Sequence, residues 1–356
     1  MPVSLAERLR ERIRREGAIS FHDWMKAALY DPDGYYQRSD RTRWGREGDY
    51  RTSPERSELF AATFAHYFVG LSEENLTIVE FGVGDGSFAA GVLSTLREQE
   101  PSIFARVRYV VMDVSDDALS RAREQLAEFG DRIEFYSDWS HISVGRGVYF
   151  ANELFDAFPV HRVLKTEAGL SEFYVSVDAN DRFTWTTGPL STPRLNEFCN
   201  SLELANGQVI EINLGIDDWF AEAATRLDQG FVISVDYGAE AVDLYDPAQR
   251  PEGSLRGFFR HEFVADLLSQ PGEFDLTTTV NWTQIKTAGE RHGFHVIDFA
   301  SQDKFLLKAG LLDQLEFRLS KVETEAEKSA LTIGAREMIL PGGMASSFQV
   351  LVQKRS

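Results

Sequence analysis

The sequence predicts an α/β protein: a Rossmann-like, doubly wound and mostly parallel sheet with an N-terminal helical extension and a β-rich insertion. Three observations carry this. From residue 76 onward, short β-branched runs alternate with helical stretches, the mark of βαβ units. A glycine-rich segment, Gly82-Val83-Gly84-Asp85-Gly86, closes the first of these runs and opens a helix. Between residues 160 and 215 the pattern changes to the alternation of antiparallel strands.

The bounds agree with a globular protein. A chain of 356 residues corresponds to about two domains at ~150 residues each. No apolar run of about 18 residues is free of charge, so a membrane span is excluded. The 37 basic and 56 acidic residues leave a net charge of −19, which opposes binding to nucleic acid or anionic lipid. The single cysteine, Cys199, excludes a disulfide framework and a cysteine-rich zinc site. It fits a reducing, cytoplasmic setting. The expected divisions are an N-terminal helical extension and lid segment over 1–75, a cofactor-binding half over 76–159, the β-rich insertion over 160–215, and the remainder of the sheet domain over 216–356. Within the last, 237–280 reads as an irregular substrate-side loop, because loops that long in a compact protein serve function or move.

In chain order, Ser4 and Glu7 form a capping box ahead of a helix whose apolar side is Leu5, Leu9 and Ile13. Its five arginines suggest a transit peptide, but three interleaved glutamates argue for a solvated surface helix. A second helix runs from Phe21 to Tyr30 and stops at the turn Asp31-Pro32-Asp33-Gly34. Thr77–Phe81, Val107–Met112, Ile133–Tyr136 and Val148–Ala151 read as strands, with helices over Ser87–Glu98 and Asp116–Phe129. The insertion contributes strands at Val160–Lys165, Ser171–Val177 and Phe183–Thr186. The sheet resumes with a helix over Ile216–Leu227 and a buried strand over Gly230–Asp236. A strand over Phe294–Phe299, a helical stretch over Lys304–Leu319 and a final strand over Phe348–Gln353 complete the chain.

The glycine segment sets the ligand class. A dinucleotide fingerprint is G-x-G-x-x-G, with a pyrophosphate on the helix N-terminus. Here the spacing is G-x-G-x-G, and Ser87 occupies the last fingerprint position. Glu80 precedes the glycines and Asp85 lies between them. Carboxylates are poor neighbours for a pyrophosphate and suit a ligand with a cationic end, such as the amino group and sulfonium of S-adenosylmethionine. Gly82, Gly84 and Gly86 would cradle it, Asp113 at the end of the next strand would accept from both ribose hydroxyls, and Ser137 and Asp138 would border the adenine.

These residues resemble class I S-adenosylmethionine-dependent methyltransferases. Gly48-Asp49-Tyr50-Arg51-Thr52-Ser53-Pro54-Glu55-Arg56-Ser57-Glu58-Leu59-Phe60 is similar to the GDFxTSPExSxxF signature of the MidA family, which comprises the mitochondrial complex I assembly arginine methyltransferases and their bacterial relatives. Residues 151–161 are similar to its ANExFDAxPxH segment, Leu255–Phe258 with His261 to LRGYxxH, and Pro271–Thr277 to PGxxDLT. The chain departs from the family at Val83, Asp85 and Asp113-Val114-Ser115. The resemblance implies a class I methyltransferase fold, S-adenosylmethionine as cofactor, and a protein arginine as acceptor. It also implies a respiratory-complex subunit as the protein that bears that arginine.

Arginine is a difficult nucleophile because its guanidinium stays protonated. A carboxylate can hold it and accept a proton. Glu153 and Asp156, after the fourth strand, are the catalytic candidates, and their i, i+3 spacing shares a face if the segment is helical. Asn152 could reach the cofactor; alternatively it caps a helix whose N-terminus the two acids favour. Gly48, Thr52 and Ser53 would form a lid over the cofactor, or a capped helix start at Ser53-Pro54. Asp236 and Tyr237 would face substrate, or form a strand-ending turn. Arg256, His261 and Asp275 complete the substrate-side candidates, with surface pairing as the alternative for Arg256 and His261. No histidine has metal-ligand spacing, so no metal is expected. Two rival functions stand beside this one. A non-catalytic assembly factor would bind cofactor without turnover; a nicotinamide-dependent oxidoreductase would bind NADH instead.

Overall fold

The computed structural model describes residues 3–40, 58–72, 75–260, 262–340 and 347–356. The chain divides into two compact units. One comprises 1–41, 155–219 and 239–285, the other 42–154, 220–238 and 286–356. The sequence divisions differ from these. The N-terminal helices and the 239–285 segment join the β-rich insertion in one unit, because each packs its apolar side there, whereas the Glu58–Leu71 helix belongs to the sheet unit.

The sheet unit is built on seven principal strands. Their spatial order is 133–136, 108–112, 77–81, 144–152, 227–239, 348–355, 295–301. The first five run parallel, as buried β-branched runs joined by helices require. The strand Phe348–Arg355 is antiparallel to both neighbours and lies between them, pairing Val235 with Val350 on one side and Ala300 with Val350 on the other. Chain order reverses at Thr77–Phe81, between 108–112 and 144–152. That is the switch point where open α/β sheets bind ligands.

One face of this sheet packs Ile78, Val111, Phe150, Ile233 and Val350 into the main core. The Glu58–Leu71 helix closes it, with Leu59, Phe60, Phe64 and Phe68 fully buried and Phe64 against Phe150 at 5.0 Å. The expected helix over Lys304–Leu319 is two helices, Gln302–Lys308 and Leu311–Leu319. They part at Gly310, whose φ of +97° no helix accommodates. The expected helix over Asp116–Phe129 ends at Gln125 and continues as 3-10 turns to Arg132. The sequence reading does not place Glu325–Ile339, although Thr324 and Glu327 form the same capping box as Ser4 and Glu7.

The other unit is antiparallel. The order Ile19–Ser20, Gly169–Val177, His161–Thr166, Val209–Ile212 forms its main sheet, and Phe183–Gly188 pairs with Gly169–Val177. Val163, Ile210, Ile212, Leu195 and Cys199 form its core. The first helix spans Leu5–Glu16 with its capping box formed and Leu5, Leu9 and Ile13 buried. Its arginines are paired: Arg8 with Asp31 and Asp33, Arg12 with Glu16 and Asp23. The second helix is Phe21–Tyr30, as read. The 237–280 stretch is not wholly irregular. Arg256–Phe259, Glu262–Phe263 and Asp275–Thr277 form a small three-stranded sheet. Among the described residues no helix is long and apolar enough to cross a membrane.

Candidate functional site

The cofactor-side candidates that fall among the described residues line the C-terminal ends of the parallel strands. The backbone ladder continues one residue past the strands there. Gly82 N–H donates to Met112 O (3.0 Å), Asp113 N–H to Tyr136 O (3.1 Å) and Glu153 N–H to Val235 O (2.8 Å). Gly82, Asp113, Ser137, Asn152, Glu153 and Asp236 thereby share one edge. Gly48, Thr52, Ser53 and His261 lie outside the described residues.

Gly82, Gly84 and Gly86 all have positive φ, at +73°, +60° and +86°. The G-x-G-x-G spacing therefore marks three alternate left-handed positions rather than a helix-opening fingerprint. Gly82 lets Leu154 approach the backbone closely, its Cδ1 only 3.2 Å from where a Cβ would stand. Asp85 is held by the helix that follows, its Oδ1 accepting from Ser87 N–H at 2.9 Å. An acid at that helix N-terminus is electrostatically favoured.

Asp113 leaves the strand in an Asx turn, with Oδ1 accepting from Ser115 N–H at 2.8 Å. Ser137 and Asp138 are exposed. Asp138 accepts from Ser140 N–H (2.7 Å) and the Ser140 hydroxyl, which hold its carboxyl below the usual range. Asn152 ends its strand and does not cap a helix. Its Nδ2 donates to Glu153 Oε1 (3.3 Å), while its buried Oδ1 has no partner among the described residues. An orphaned buried acceptor of this kind suits a ligand donor. Left-handed backbone at the three glycines, an acid at the second strand end and an unsatisfied amide oxygen at the fourth together fit S-adenosylmethionine.

Glu80 behaves differently from the other acids. It is 4% exposed, and it accepts from the Tyr109 hydroxyl at 2.7 Å. Burial is the main cause that pushes its pKa up to about 8. Asp85 and Asp113 add to the shift, and Tyr109 opposes it. Below about pH 4.5 both folded and unfolded states hold the proton. Between there and about pH 8 only the folded state does, so stability falls as pH rises through that window. The slope from this group is at most ~1.4 kcal/mol per pH unit. Glu80→Gln keeps an acceptor for Tyr109 and removes the titration. Denaturant unfolding of the ligand-free protein at pH 5, 6.5 and 8 should show the variant gaining stability over wild type at the high end. Parallel curves for the two proteins would contradict this account.

Asp236 and Tyr237 lie within the strand Leu227–Ala239, not in a turn that ends it. Asp236 is 1% exposed, with Oδ1 accepting from Tyr237 N–H at 2.9 Å. The shared helical face expected for Glu153 and Asp156 does not form. Glu153 has φ +51°, and a 3-10 turn begins only at Phe155. The boundary between the units falls between these two acids.

In the antiparallel unit, Asp156 and Asp275 are both nearly buried. Asp156 Oδ2 accepts from the Thr277 hydroxyl (2.8 Å), and Asp275 Oδ1 accepts from the Tyr36 hydroxyl (2.8 Å). Arg256 pairs across the strand with Thr277 and donates to Thr279 Oγ1 at 3.4 Å. Sequence reasoning missed Tyr36, Tyr109 and Thr277. Thr277 lies in the quoted PGxxDLT stretch; nothing local marks the two tyrosines. His161 is buried with Nδ1 at 2.7 Å from Glu172 Oε1, and Ser191 Oγ is 3.4 Å from the same nitrogen. A serine–histidine–acid relay needs the two partners on different nitrogens, so this cluster is structural.

Comparison with known proteins gives the family. Residues 59–300 match the family described as "Putative S-adenosyl-L-methionine-dependent methyltransferase". A superfamily member from Burkholderia thailandensis, crystallised with S-adenosyl-homocysteine, superposes with a TM-score of 0.86 at 28% identity, over 99% of this chain and 92% of that one. The mouse (Mus musculus) protein arginine methyltransferase NDUFAF7, mitochondrial, is 26% identical over 95% of this chain and 81% of its own. The Drosophila melanogaster homolog is 27% identical over 98% and 84%.

Proposed function

The chain belongs to the S-adenosyl-L-methionine-dependent methyltransferase family whose pattern residues 59–300 match, and from that premise we propose that its acceptor is an arginine side chain of a protein. Its methyl donor is S-adenosylmethionine. Gly82, Gly84, Gly86, Asp113, Ser137, Asp138 and Asn152 would hold that donor, with Glu80 beneath the glycines. Bound S-adenosylmethionine supplies an electrophilic methyl group on a sulfonium. The protein's part is alignment and charge. Glu153 in the sheet unit is the first candidate for the carboxylate that holds the guanidinium and takes the proton the nitrogen sheds, and Asp156 in the antiparallel unit is the second. The observation that carries the acceptor class is the carboxylate residue Glu153 at the C-terminal end of the strand Val144–Asn152, on the same sheet edge as Gly82, Asp113 and Asn152. Two features support it: relatives that bear the name protein arginine methyltransferase, and a net charge of −19 that suits a basic segment. We extend the proposal to a respiratory-complex subunit as the protein methylated, on the strength of the family resemblance.

The test is incubation with methyl-labelled S-adenosylmethionine and a set of single-arginine peptides, followed by acid hydrolysis. Labelled methylarginine is expected. Label on another residue type would overturn the acceptor. Tight cofactor binding with no label anywhere, even on isolated respiratory complexes, would favour a binding factor.

A further inference from the structure

We infer that the strand Glu262–Phe263 is a docking edge for the substrate protein, where an extended basic segment flanking the acceptor arginine pairs as an added strand. The inference rests on the reading above for the identity of the partner; the edge itself belongs to the antiparallel unit alone.

The small sheet has the order Glu262–Phe263, Arg256–Phe259, Asp275–Thr277, so Glu262–Phe263 lies at one side of it. Among the described residues no strand pairs with its outer side. The register sets Phe259 opposite Glu262 and Phe258 opposite Phe263. Only residues 260–261 join the two strands, and a two-residue hairpin closes on a hydrogen-bonded pair, here Phe259 with Glu262. Such pairs alternate along an antiparallel ladder. Val264 N–H donating to Gly257 O at 2.9 Å marks the next one. Phe263 therefore stands in the non-hydrogen-bonded pair, and its N–H and C=O point outward, away from Arg256–Phe259. The residue is 71% exposed, with its ring 4.8 Å from that of Phe258. A donor, an acceptor and an aromatic ring are thus offered together at one edge position.

The edge stands on a packed support. A Cβ on Gly257 would lie 2.7 Å from Leu267 Cδ2 and 3.2 Å from Val264 Cβ. The segment that follows the edge therefore packs directly against the backbone of the central strand. Extended peptides add to exposed edges of this kind, with main-chain bonds for affinity and side chains for choice.

Charge selects the occupant. Glu262 and Asp266 are both exposed, and neither pairs with a cation among the described residues. Arg260, at the turn, lies over the Phe259 ring at 5.2 Å. Lysine or arginine side chains of an added strand would meet the two carboxylates, and one could lie over the Phe263 ring. A second copy of this chain is the poorer occupant, because it brings the same acids and a net charge of −19.

The probe is a fluorescein-labelled ten-residue peptide, one arginine among alternating valine and lysine. One counterpart is N-methylated at consecutive backbone nitrogens, and another has glutamate for lysine. Fluorescence anisotropy with the full chain reads affinity without turnover. Both counterparts should bind about 10-fold more weakly than the parent. Phe263→Ala removes the ring and keeps the N–H; Phe263→Pro removes both, at an edge position that tolerates proline. Losses of about 5-fold and about 20-fold are expected. Glu262→Lys, a surface change that leaves the hairpin intact, should lose about 5-fold. S-adenosylhomocysteine affinity should be unchanged in all three variants. Equal binding of the parent and N-methylated peptides overturns the docking edge, as does wild-type affinity in Phe263→Pro and Glu262→Lys. Absence of saturable binding by wild type overturns it too. A dimer in sedimentation that Phe263→Pro dissolves would give the edge to a second copy instead. Methylarginine formed in the peptide with KM unmoved in the variants would end the docking edge and leave the acceptor class standing. Edge-dependent binding with no methylation would do the reverse.

Discussion

Asp113→Ala weakens binding of S-adenosylhomocysteine by about 100-fold. The side chain stands at the end of the second parallel strand, with Oδ1 committed to Ser115 N–H. A carboxylate that accepts from both ribose hydroxyls loses two charge-assisted hydrogen bonds on truncation, each worth ~1.5–3 kcal/mol. Discounting for water that fills the gap, a net loss near 3 kcal/mol corresponds to about two decades in affinity. Calorimetric titration measures it directly, and Asp113→Glu should recover part of the loss. Unchanged affinity in the alanine variant would remove Asp113 from the site. Saturable binding of NADH by wild type would reassign the whole crevice.

Gly86→Ala destabilises the protein by ~2–5 kcal/mol. Two costs add. The residue has φ +86°, where an L side chain pays ~1–2 kcal/mol. A Cβ there would lie 3.0 Å from Ala122 Cα and 3.2 Å from Ala122 Cβ, so the helix Asp116–Gln125 must move, and overpacking of that kind costs ~1–3 kcal/mol. Gly207 is the control. Its φ is +85°, close to that of Gly86, and nothing lies within 4 Å of its would-be Cβ. Gly207→Ala should show only the conformational cost. The difference between the two in denaturant unfolding isolates the close approach of backbone and helix. Equal losses would mean that Ala122 imposes no constraint.

The sheet was legible because its strands are short, buried and β-branched, and because turns and glycines punctuate them. Ile133–Tyr136 and Phe21–Tyr30 come out with the bounds that their sequences suggest. Apart from Glu325–Ile339, elements without a readable period are among those missed. Glu58–Leu71 is buried on nearly every side, so no polar stripe gives it a helical rhythm. The strands at 256–259, 262–263 and 275–277 are too short for alternation to register. The glycine crevice could be read from spacing alone, since left-handed positions need glycine and occur within five residues. The acid cluster could not. Asp156 meets Thr277 across 121 residues and Tyr36 meets Asp275 across 239, and no local signal encodes such pairings. The helical face assumed for Glu153 and Asp156 failed for a local reason, a left-handed residue at the strand end.

The antiparallel strand Phe348–Arg355 has a consequence for how the molecule is made. It occupies an interior place in the sheet, with Leu227–Ala239 on one side and His295–Ser301 on the other. Until a ribosome releases those residues, both flanking strands present open edges, and open edges invite pairing with other chains. Synthesis of the first 340 residues therefore yields a sheet with a missing slat, and closure waits on one pairing across more than a hundred residues and another across about fifty, a slow kind of contact. Nascent chains halted before residue 348 should stay protease-sensitive and engage chaperones, whereas chains extended past residue 355 and clear of the exit tunnel should become resistant in one step.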